Sequence, residues 1–168
     1  LKGVESDIVL PGLYEAYKVR EKDSPNALVW DEMPKAAYQT WTYAPDLAVL
    51  QQKNQERLTT NGVFKEIKDK TNILADNRKT ARSLEIQKYK AQQKEVKEIS
   101  TKVRNLTQLK DDLSVANLSS DLEVINSDSL KKDRNDFWVK YLKKDVYLGE
   151  TLNVMSDVIQ QKGMALKN

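Results

Sequence analysis

Lysine and serine, two residue types that could do chemistry, are plentiful in this chain of 168 residues, whereas cysteine and histidine are absent. Without them, a Ser-His-Asp triad, a Cys-His dyad and zinc sites with thiolate or imidazole ligands are impossible within the sequence. A Ser-Lys pair remains, but its lysine must lose a proton near neutral pH, which requires burial in a dry pocket. Every lysine here has polar neighbours, so we predict no catalytic residue in this chain.

The acidic pairs are poor metal sites. Asp111-Asp112 and the pair Asp133 and Asp136 lack the ligand spacing and the turn glycine of a calcium-binding loop, which favours their being solvated helix ends. No glycine-rich loop that could cradle a phosphate occurs either. The sequence therefore predicts no metal ligand, no cofactor-binding residue and no cofactor.

Positive charge is concentrated in the middle of the chain. Residues 61–110 contain 13 Lys and Arg against 6 Asp and Glu, although the net charge of the whole chain is only +3. Lys90, Lys94 and Lys97 lie there at helical spacing, and we predict that they bind a partner. A solvated helix face, an acidic protein partner and nucleic acid are the three interpretations. Tyr89 is the only nearby aromatic residue for base stacking, so we predict no nucleic-acid partner.

Composition predicts a mainly α protein. Charged residues make up 32% of the chain and only five Gly and four Pro occur, which favours long, solvated helices. No apolar run approaches the roughly 20 residues of a transmembrane helix, so we predict no membrane span. We divide the chain into an extended N-terminal arm, residues 1–45, and an antiparallel helical bundle with one long coiled-coil-like helix, residues 46–168.

The arm begins with a strand pattern over residues 4–10, VESDIVL, which ends at Pro11 and Gly12. Residues 12–45 then keep neither a helical nor a strand period. Aromatic side chains in such a segment usually anchor it by burying flat rings against a neighbouring body. We predict that role for Trp30, Trp41, Tyr14 and Tyr38. The body is either this chain's own helices or a domain outside the sequence.

The first helices of the bundle are predicted from apolar residues at helical spacing. One helix enters at Pro45-Asp46 and ends at Asn61-Gly62. The second has Phe64, Ile67, Thr71 and Leu74 on one face, before a polar break at residues 77–82. A long helix follows from Ser83, and its narrow coiled-coil-like stripe continues to Leu113.

The second half of the bundle is predicted to contain a loop and two helices. Residues 114–129 are rich in Ser, Asn and Asp and are predicted to form the loop. A helix from about Leu130 has its apolar side formed by Phe137, Trp138, Tyr141 and Leu142. The last helix has an apolar stripe at four-three-four spacing, formed by Leu148, Leu152, Met155 and Ile159. Lys162-Gly163 is predicted to end it.

Three segments carry a resemblance to a known family. Residues 3–11, GVESDIVLP, resemble the "GV-x-P-D-I-x-x-P" strand that ends the protease domain of the tail-specific (carboxyl-terminal processing) serine proteases, the Prc/Tsp group. Residues 23–31, DSPNALVWD, are similar to that group's "DNALPWD" segment, and residues 145–152, DVYLGETL, to its "DPYLDETV" helix. Residues 64–68, FKEIK, are a weaker match to its "EF-x-x-I" helix. The sequence departs from these motifs at Ser6, Val29 and Gly149.

The resemblance implies that this chain is the non-catalytic C-terminal helical domain of a periplasmic endopeptidase. The Ser-Lys dyad and the PDZ domain of such enzymes precede the first motif, so the resemblance places neither in this chain. It implies that the strand at residues 4–10 belongs to the protease sheet, and that the domain packs on the protease core and helps control substrate access or adaptor binding. The implied partners are the protease and PDZ domains of the same protein, protein substrates and an envelope adaptor protein. The alternative is a stand-alone basic helical module that binds an acidic protein or nucleic acid.

Overall fold

The computed structural model describes residues 6–18, 23–24, 26–27, 44–81 and 83–165, without the side chains of residues 164 and 165. This part of the chain is helical and contains no β-sheet, which confirms the prediction of a mainly α bundle. Its seven α-helices are α1 (Leu13–Tyr17), α2 (Leu47–Thr60), α3 (Gly62–Lys79), α4 (Ile86–Leu106), α5 (Leu122–Asn126), α6 (Ser129–Lys143) and α7 (Val146–Ala165).

A sharp corner joins α2 to α3. Asp46 begins α2, because its side chain accepts hydrogen bonds from the backbone N–H groups of Ala48 and Val49 at 3.0 and 3.2 Å. Asn61 both ends α2 and begins α3: its N–H donates to the Arg57 carbonyl at 2.8 Å, and its side chain accepts from the Val63 N–H at 2.9 Å. The predicted boundary at Asn61-Gly62 is therefore confirmed, and it is fixed by a single residue.

The core forms where α3 meets the end of α4 and the start of α7. Phe64, Ile67 and Val146 are buried together, and several half-buried apolar side chains pack around them: Leu58, Val63, Leu106, Leu109 and Tyr147. The Phe64 and Tyr147 rings meet edge to face, with centroids 6.1 Å apart. The predicted inward face of α3 is confirmed, since Phe64, Ile67, Thr71 and Leu74 are all buried.

The long helix α4 runs back along α3, and Lys102 of α4 pairs with Glu66 of α3. Val103 is buried in this contact. The helix ends at Leu106, so the prediction that it reaches Leu113 is wrong. The chain leaves the helix because the N–H groups of Leu109 and Leu113 donate to the carbonyls of Lys144 and Lys143, both at 2.7 Å, at the end of α6.

Two further sequence predictions differ from the structure. The predicted loop at residues 114–129 contains a 3-10 turn at Ser119–Asp121 and the short helix α5. The last helix does not end at Gly163 but continues to Ala165. No side chain lies within 4 Å of where a Gly163 Cβ would be, so this glycine is an exposed interior residue of α7 rather than its cap.

The described part of the arm lies against the helices. Residues 6–10 form no strand, because no neighbouring strand is present in the described chain to pair with them. The Gln51 side chain donates to the Asp7 carbonyl at 2.8 Å, and the Tyr147 hydroxyl donates to the Pro11 carbonyl at 3.1 Å. The arm then forms α1, which packs on α3, and the Arg78 guanidinium lies 4.6 Å from the Tyr17 ring centre.

Candidate functional site

An ionic clamp holds α7 on α2. Glu150 and Asp157, two buried carboxylates of α7, meet Arg57 and Lys53 of α2. Arg57 Nε donates to Glu150 Oε1 and Arg57 Nη1 to Asp157 Oδ2, each at 2.7 Å, and Lys53 Nζ lies 3.0 Å from Asp157 Oδ1. Asn54 donates to Glu150 Oε1 at 2.8 Å. Two helices are thus joined by a network of charge-assisted hydrogen bonds.

Our sequence reasoning missed this ionic clamp, because its members lie about a hundred residues apart. The sequence contained only a weak indication of it, in the spacing of the charged residues. Two carboxylates seven residues apart fall on one face of a helix, and two cations four residues apart do the same on another. Together they form complementary pairs only if the two helices are already known to be neighbours.

The members of the ionic clamp shift each other's pKa values. Burial alone would raise the pKa of Asp157, but hydrogen bonds and positive charge from Arg57 and Lys53 outweigh it and lower that pKa below its ordinary value. Burial would likewise lower the pKa of Arg57, but the bonds and charges of Glu150 and Asp157 outweigh it and raise that pKa. Both groups therefore stay charged in the folded protein near neutral pH.

Acid should weaken the ionic clamp in a defined window. Because the folded state binds the Asp157 proton more weakly than the unfolded state does, this carboxylate stabilises the fold fully only above its unfolded pKa of 3.8. Its contribution is lost as the pH falls through the lower pKa of the folded state. We expect the free energy of unfolding, measured with urea at a series of pH values, to fall more steeply in the wild type than in Asp157→Asn as the pH decreases from 3.8 to the lower pKa of the folded state.

Glu66, whose pKa is lowered chiefly by the hydrogen bond from Lys102, titrates in both proteins of that comparison. The difference between the two curves therefore reports on Asp157 alone. Parallel curves for the wild type and Asp157→Asn would contradict the proposed linkage between this carboxylate and stability.

The ionic clamp also decides which face of α7 meets solvent. Its acidic face turns toward α2, so most of the predicted apolar stripe faces solvent, with Leu152 48%, Met155 56% and Ile159 67% exposed, whereas Leu148 is half-buried. An amphipathic helix normally buries its apolar side. The apolar stripe of α7, defined as Leu148, Leu152, Met155 and Ile159, is therefore a candidate docking surface.

The aromatic side of α6 is exposed as well. Phe137, Trp138 and Tyr141 each expose more than half of their surface, while Val139 and Leu142 of the same helix are half-buried. The Trp138 and Tyr141 rings meet edge to face, with centroids 6.1 Å apart. An exposed apolar patch of this kind typically marks a binding surface. Its interspersed charges include Arg134 and Lys140, so its character differs from that of the α7 stripe.

The three lysines predicted to bind a partner lie on one exposed face of α4. Lys90, Lys94 and Lys97 follow i, i+4, i+7 spacing, away from buried Val103. No residue in the described ranges forms an ion pair with them, whereas the neighbouring Lys88 pairs with Glu85 at 2.7 Å. The structure thus places them together, but a partner for them stays a prediction.

Only one of the four predicted aromatic anchors falls in the described residues. Tyr14 lies on α1, where its side chain is 80% exposed. Trp30, Trp41 and Tyr38 lie outside the described residues. Nearby, the Tyr147 hydroxyl holds Pro11, and burial, followed by the negative charge of Asp145, raises the pKa of Tyr147 so that it remains a hydrogen-bond donor.

A cleft of about 550 Å³ separates the arm from α2 and α3. Its walls combine apolar and charged side chains from all three segments: Val9, Leu10, Leu58, Phe64, Lys65 and Lys68. Both lysines are exposed, so neither meets the requirement of dry burial for a lysine base. Within the described ranges, no cluster of three or more acidic residues is arranged to hold a metal ion, and no helix is long and apolar enough to cross a membrane.

Comparison with known proteins identifies the family. The model of a family described as "C-terminal domain of tail specific protease (DUF3340)" matches residues 14–160, which include nearly all of the helices from α1 to α7. No curated protein and no solved structure matches the chain. The family match agrees with the resemblance carried by residues 3–11, 23–31 and 145–152. The chain belongs to the family of C-terminal domains of tail-specific proteases.

Proposed function

We propose that this chain is the non-catalytic C-terminal domain of a periplasmic, serine-type carboxyl-terminal processing endopeptidase. In this proposal the Ser-Lys dyad lies in the preceding protease domain of the same protein. Residues 1–45 form the arm that leads from that protease core, and residues 46–168 form the helical domain. The helices pack on the core and help control which protein substrates reach its active site.

The position of residues 6–13 carries this proposal. These residues precede the matched span of the family, yet their carbonyls accept hydrogen bonds from Gln51 of α2 and Tyr147 of α7. A segment held at both points gives the preceding part of the protein a fixed path onto the bundle. The exposed ring of Tyr14 is available to contact that part, as an aromatic anchor would be.

Removing the helices from the whole protease tests the proposal. The test compares the rate of cleavage of a folded reporter protein that has an accessible C-terminal tail with the rate for the same reporter after reduction and alkylation. We expect the ratio of the two rates, folded to unfolded, to be higher for the full-length enzyme without residues 46–168 than for the intact enzyme. A full-length variant with Trp30, Trp41, Tyr14 and Tyr38 all changed to alanine separates loss of anchoring from loss of the helices. Unchanged discrimination and unchanged stability in the deletion would contradict the proposal.

A second candidate role is supported by the unpaired lysines of α4. An envelope adaptor protein with an acidic surface would provide the counter-charges that Lys90, Lys94 and Lys97 lack among the described residues. Reversing the three charges to glutamate should weaken capture of such a protein from envelope extract, and the loss should grow smaller at high salt. Three reversals outside α4, at exposed Lys68, Lys110 and Lys132, are the matched control.

An identical set of captured proteins from both triple variants would contradict the adaptor role. Tight binding of mixed-sequence DNA with a steep salt dependence would instead favour the stand-alone nucleic-acid module. Such binding, with no effect of the arm and helix variants on the protease, is the result that distinguishes this alternative.

A further inference from the structure

Helix α7 has apolar residues on two sides, because Val146, Val154 and Val158 are buried or half-buried on the same side as the ionic clamp. Glu150 and Asp157 turn inward to α2, and the apolar stripe of α7 lies roughly half a turn away around the helix axis. Its members follow four-three-four spacing, the spacing of a seam between packed helices. The stripe extends along about 16 Å of helix, from Leu148 to Ile159. A helix that is apolar on both sides is usually covered on both sides, so the exposed stripe calls for a second contact surface.

Along α7 the stripe is flanked by uncharged residues as far as Gln161, and exposed Lys162 follows at its end. Between Thr151 and Gln161 the only charged residue is Asp157, which is buried in the ionic clamp, although charged residues make up 32% of the chain. Exposed Thr151, Asn153 and Ser156 flank the stripe instead. Permanent interfaces are more apolar and less charged than exchangeable ones. The α7 stripe has this character, whereas the aromatic side of α6 carries Asp133, Arg134 and Lys140 among its rings.

The location of the stripe indicates what covers it. Tyr147, directly before Leu148, binds the Pro11 carbonyl, and a Gly12 Cβ would lie 3.3 Å from the Tyr147 hydroxyl. The arm therefore passes beside the first turn of α7, and Gln51 of α2 holds Asp7. Ser6 lies at most about 17 Å along the chain from Pro11, so a domain that precedes Ser6 stays within reach of the stripe.

We propose that the apolar stripe of α7 is a docking surface for an uncharged, apolar surface on the protease core of the same polypeptide. This inference rests on the proposed function, because it takes that core to be the preceding domain. Together with the arm, the stripe holds the domain at two separate places. Two contacts fix the orientation of a domain, whereas an arm alone would leave it free to rotate.

Hydroxyl-radical footprinting with mass spectrometry tests this occupant. In the isolated chain, Leu152, Met155 and Ile159 should be oxidised readily. In the full-length protease their oxidation should be about tenfold slower, as expected for side chains excluded from solvent. Leu118 and Val124, which precede α6 and are 70% and 62% exposed, serve as the internal control, with similar oxidation in both proteins.

A charged variant checks that protection comes from docking. Leu152→Glu with Ile159→Glu should leave the unfolding midpoint of the isolated chain nearly unchanged, because both side chains are exposed there. In the full-length protein the same pair should abolish the protection of Met155 and increase the radius of gyration in solution scattering. The pair Thr151→Glu with Gln160→Glu, at exposed positions outside the stripe, is the matched control.

Each other outcome overturns the inference. Protection of the stripe that appears in the isolated chain and rises with its concentration would identify a second copy as the occupant. Equal oxidation of the stripe in both proteins would show that the core does not cover it. The proposed function is tested separately by the deletion of residues 46–168. If that deletion alters substrate discrimination, the proposed function holds even when the stripe is not covered by the core. If the deletion has no effect, the proposed function fails whatever the footprinting shows.

Discussion

Replacing Phe64 with alanine should cost about 3–5 kcal/mol of folding free energy, one of the largest effects of any single substitution in this chain. Its ring is 2% exposed and contacts the residues that join α3, α4 and α7. The change removes the buried ring and leaves a cavity between three helices, which cannot close without moving Ile67 and Tyr147. Urea unfolding followed by circular dichroism measures the loss.

The chain provides its own control for this substitution. Phe137, the only other phenylalanine, is 70% exposed on α6. Phe137→Ala should change the free energy of unfolding by no more than about 0.5 kcal/mol, because little surface returns to water. Equal losses for Phe64→Ala and Phe137→Ala would contradict the placement of the core at α3.

Replacing Glu150 with alanine should cost about 1–3 kcal/mol, because buried hydrogen-bond donors lose their acceptor. Arg57 keeps its bond to Asp157, so its charge is not left without compensation. Here Arg57 would lose its bond to Oε1, and Asn54 would lose the same acceptor. Thermal unfolding of the Glu150→Ala variant should show the decrease as a lower midpoint.

Two further variants separate charge from packing at this site. Glu95→Ala, at an exposed position of α4, removes a carboxylate that makes no contact with the ionic clamp and should be nearly neutral. The triple variant Arg57→Met, Glu150→Leu and Asp157→Asn removes Arg57 together with both buried carboxylates and should recover much of the lost stability. A Glu150→Ala variant as stable as Glu95→Ala would refute the role of the clamp.

Local signals in the sequence predicted much of the fold correctly. Both ends of α2 and the start of α3 follow from Asp46 and Asn61, whose side chains bond to backbone groups two or three residues away. The inward face of α3 follows from its apolar period, since four residues at that spacing are buried. Such features depend on neighbours along the chain, which a sequence displays directly.

Features that depend on distant segments could not be predicted in this way. Leu109 and Leu113 continue the apolar period of α4, yet their N–H groups bond to the end of α6 instead of to the preceding helical turn. The apolar sides of α6 and α7 were recognised, but not that they face solvent. That orientation follows from Arg57 meeting Glu150, a contact across 93 residues of sequence.

One departure from the family motif has a physical account. Gly149 stands where the motif "DPYLDETV" has an acidic residue, and a Cβ at this position would touch Leu109 Cδ1 at 3.4 Å. An alanine would fit at ordinary contact distance, but a longer acidic side chain would have to displace Leu109, which packs on the core around Phe64. The glycine therefore leaves room for Leu109, in the segment that follows α4, to pack against α7.

The ionic clamp also governs the order in which the domain can be completed during synthesis. Its bonds join residues 93 to 104 positions apart, and its acidic partners all lie on the last helix. The N-terminal part of a protein is synthesised first, so the two cations of α2 stay solvated until α7 has emerged from the ribosome. A polypeptide truncated before α7 would lack both carboxylates of the ionic clamp, and we expect proteases to degrade it more readily.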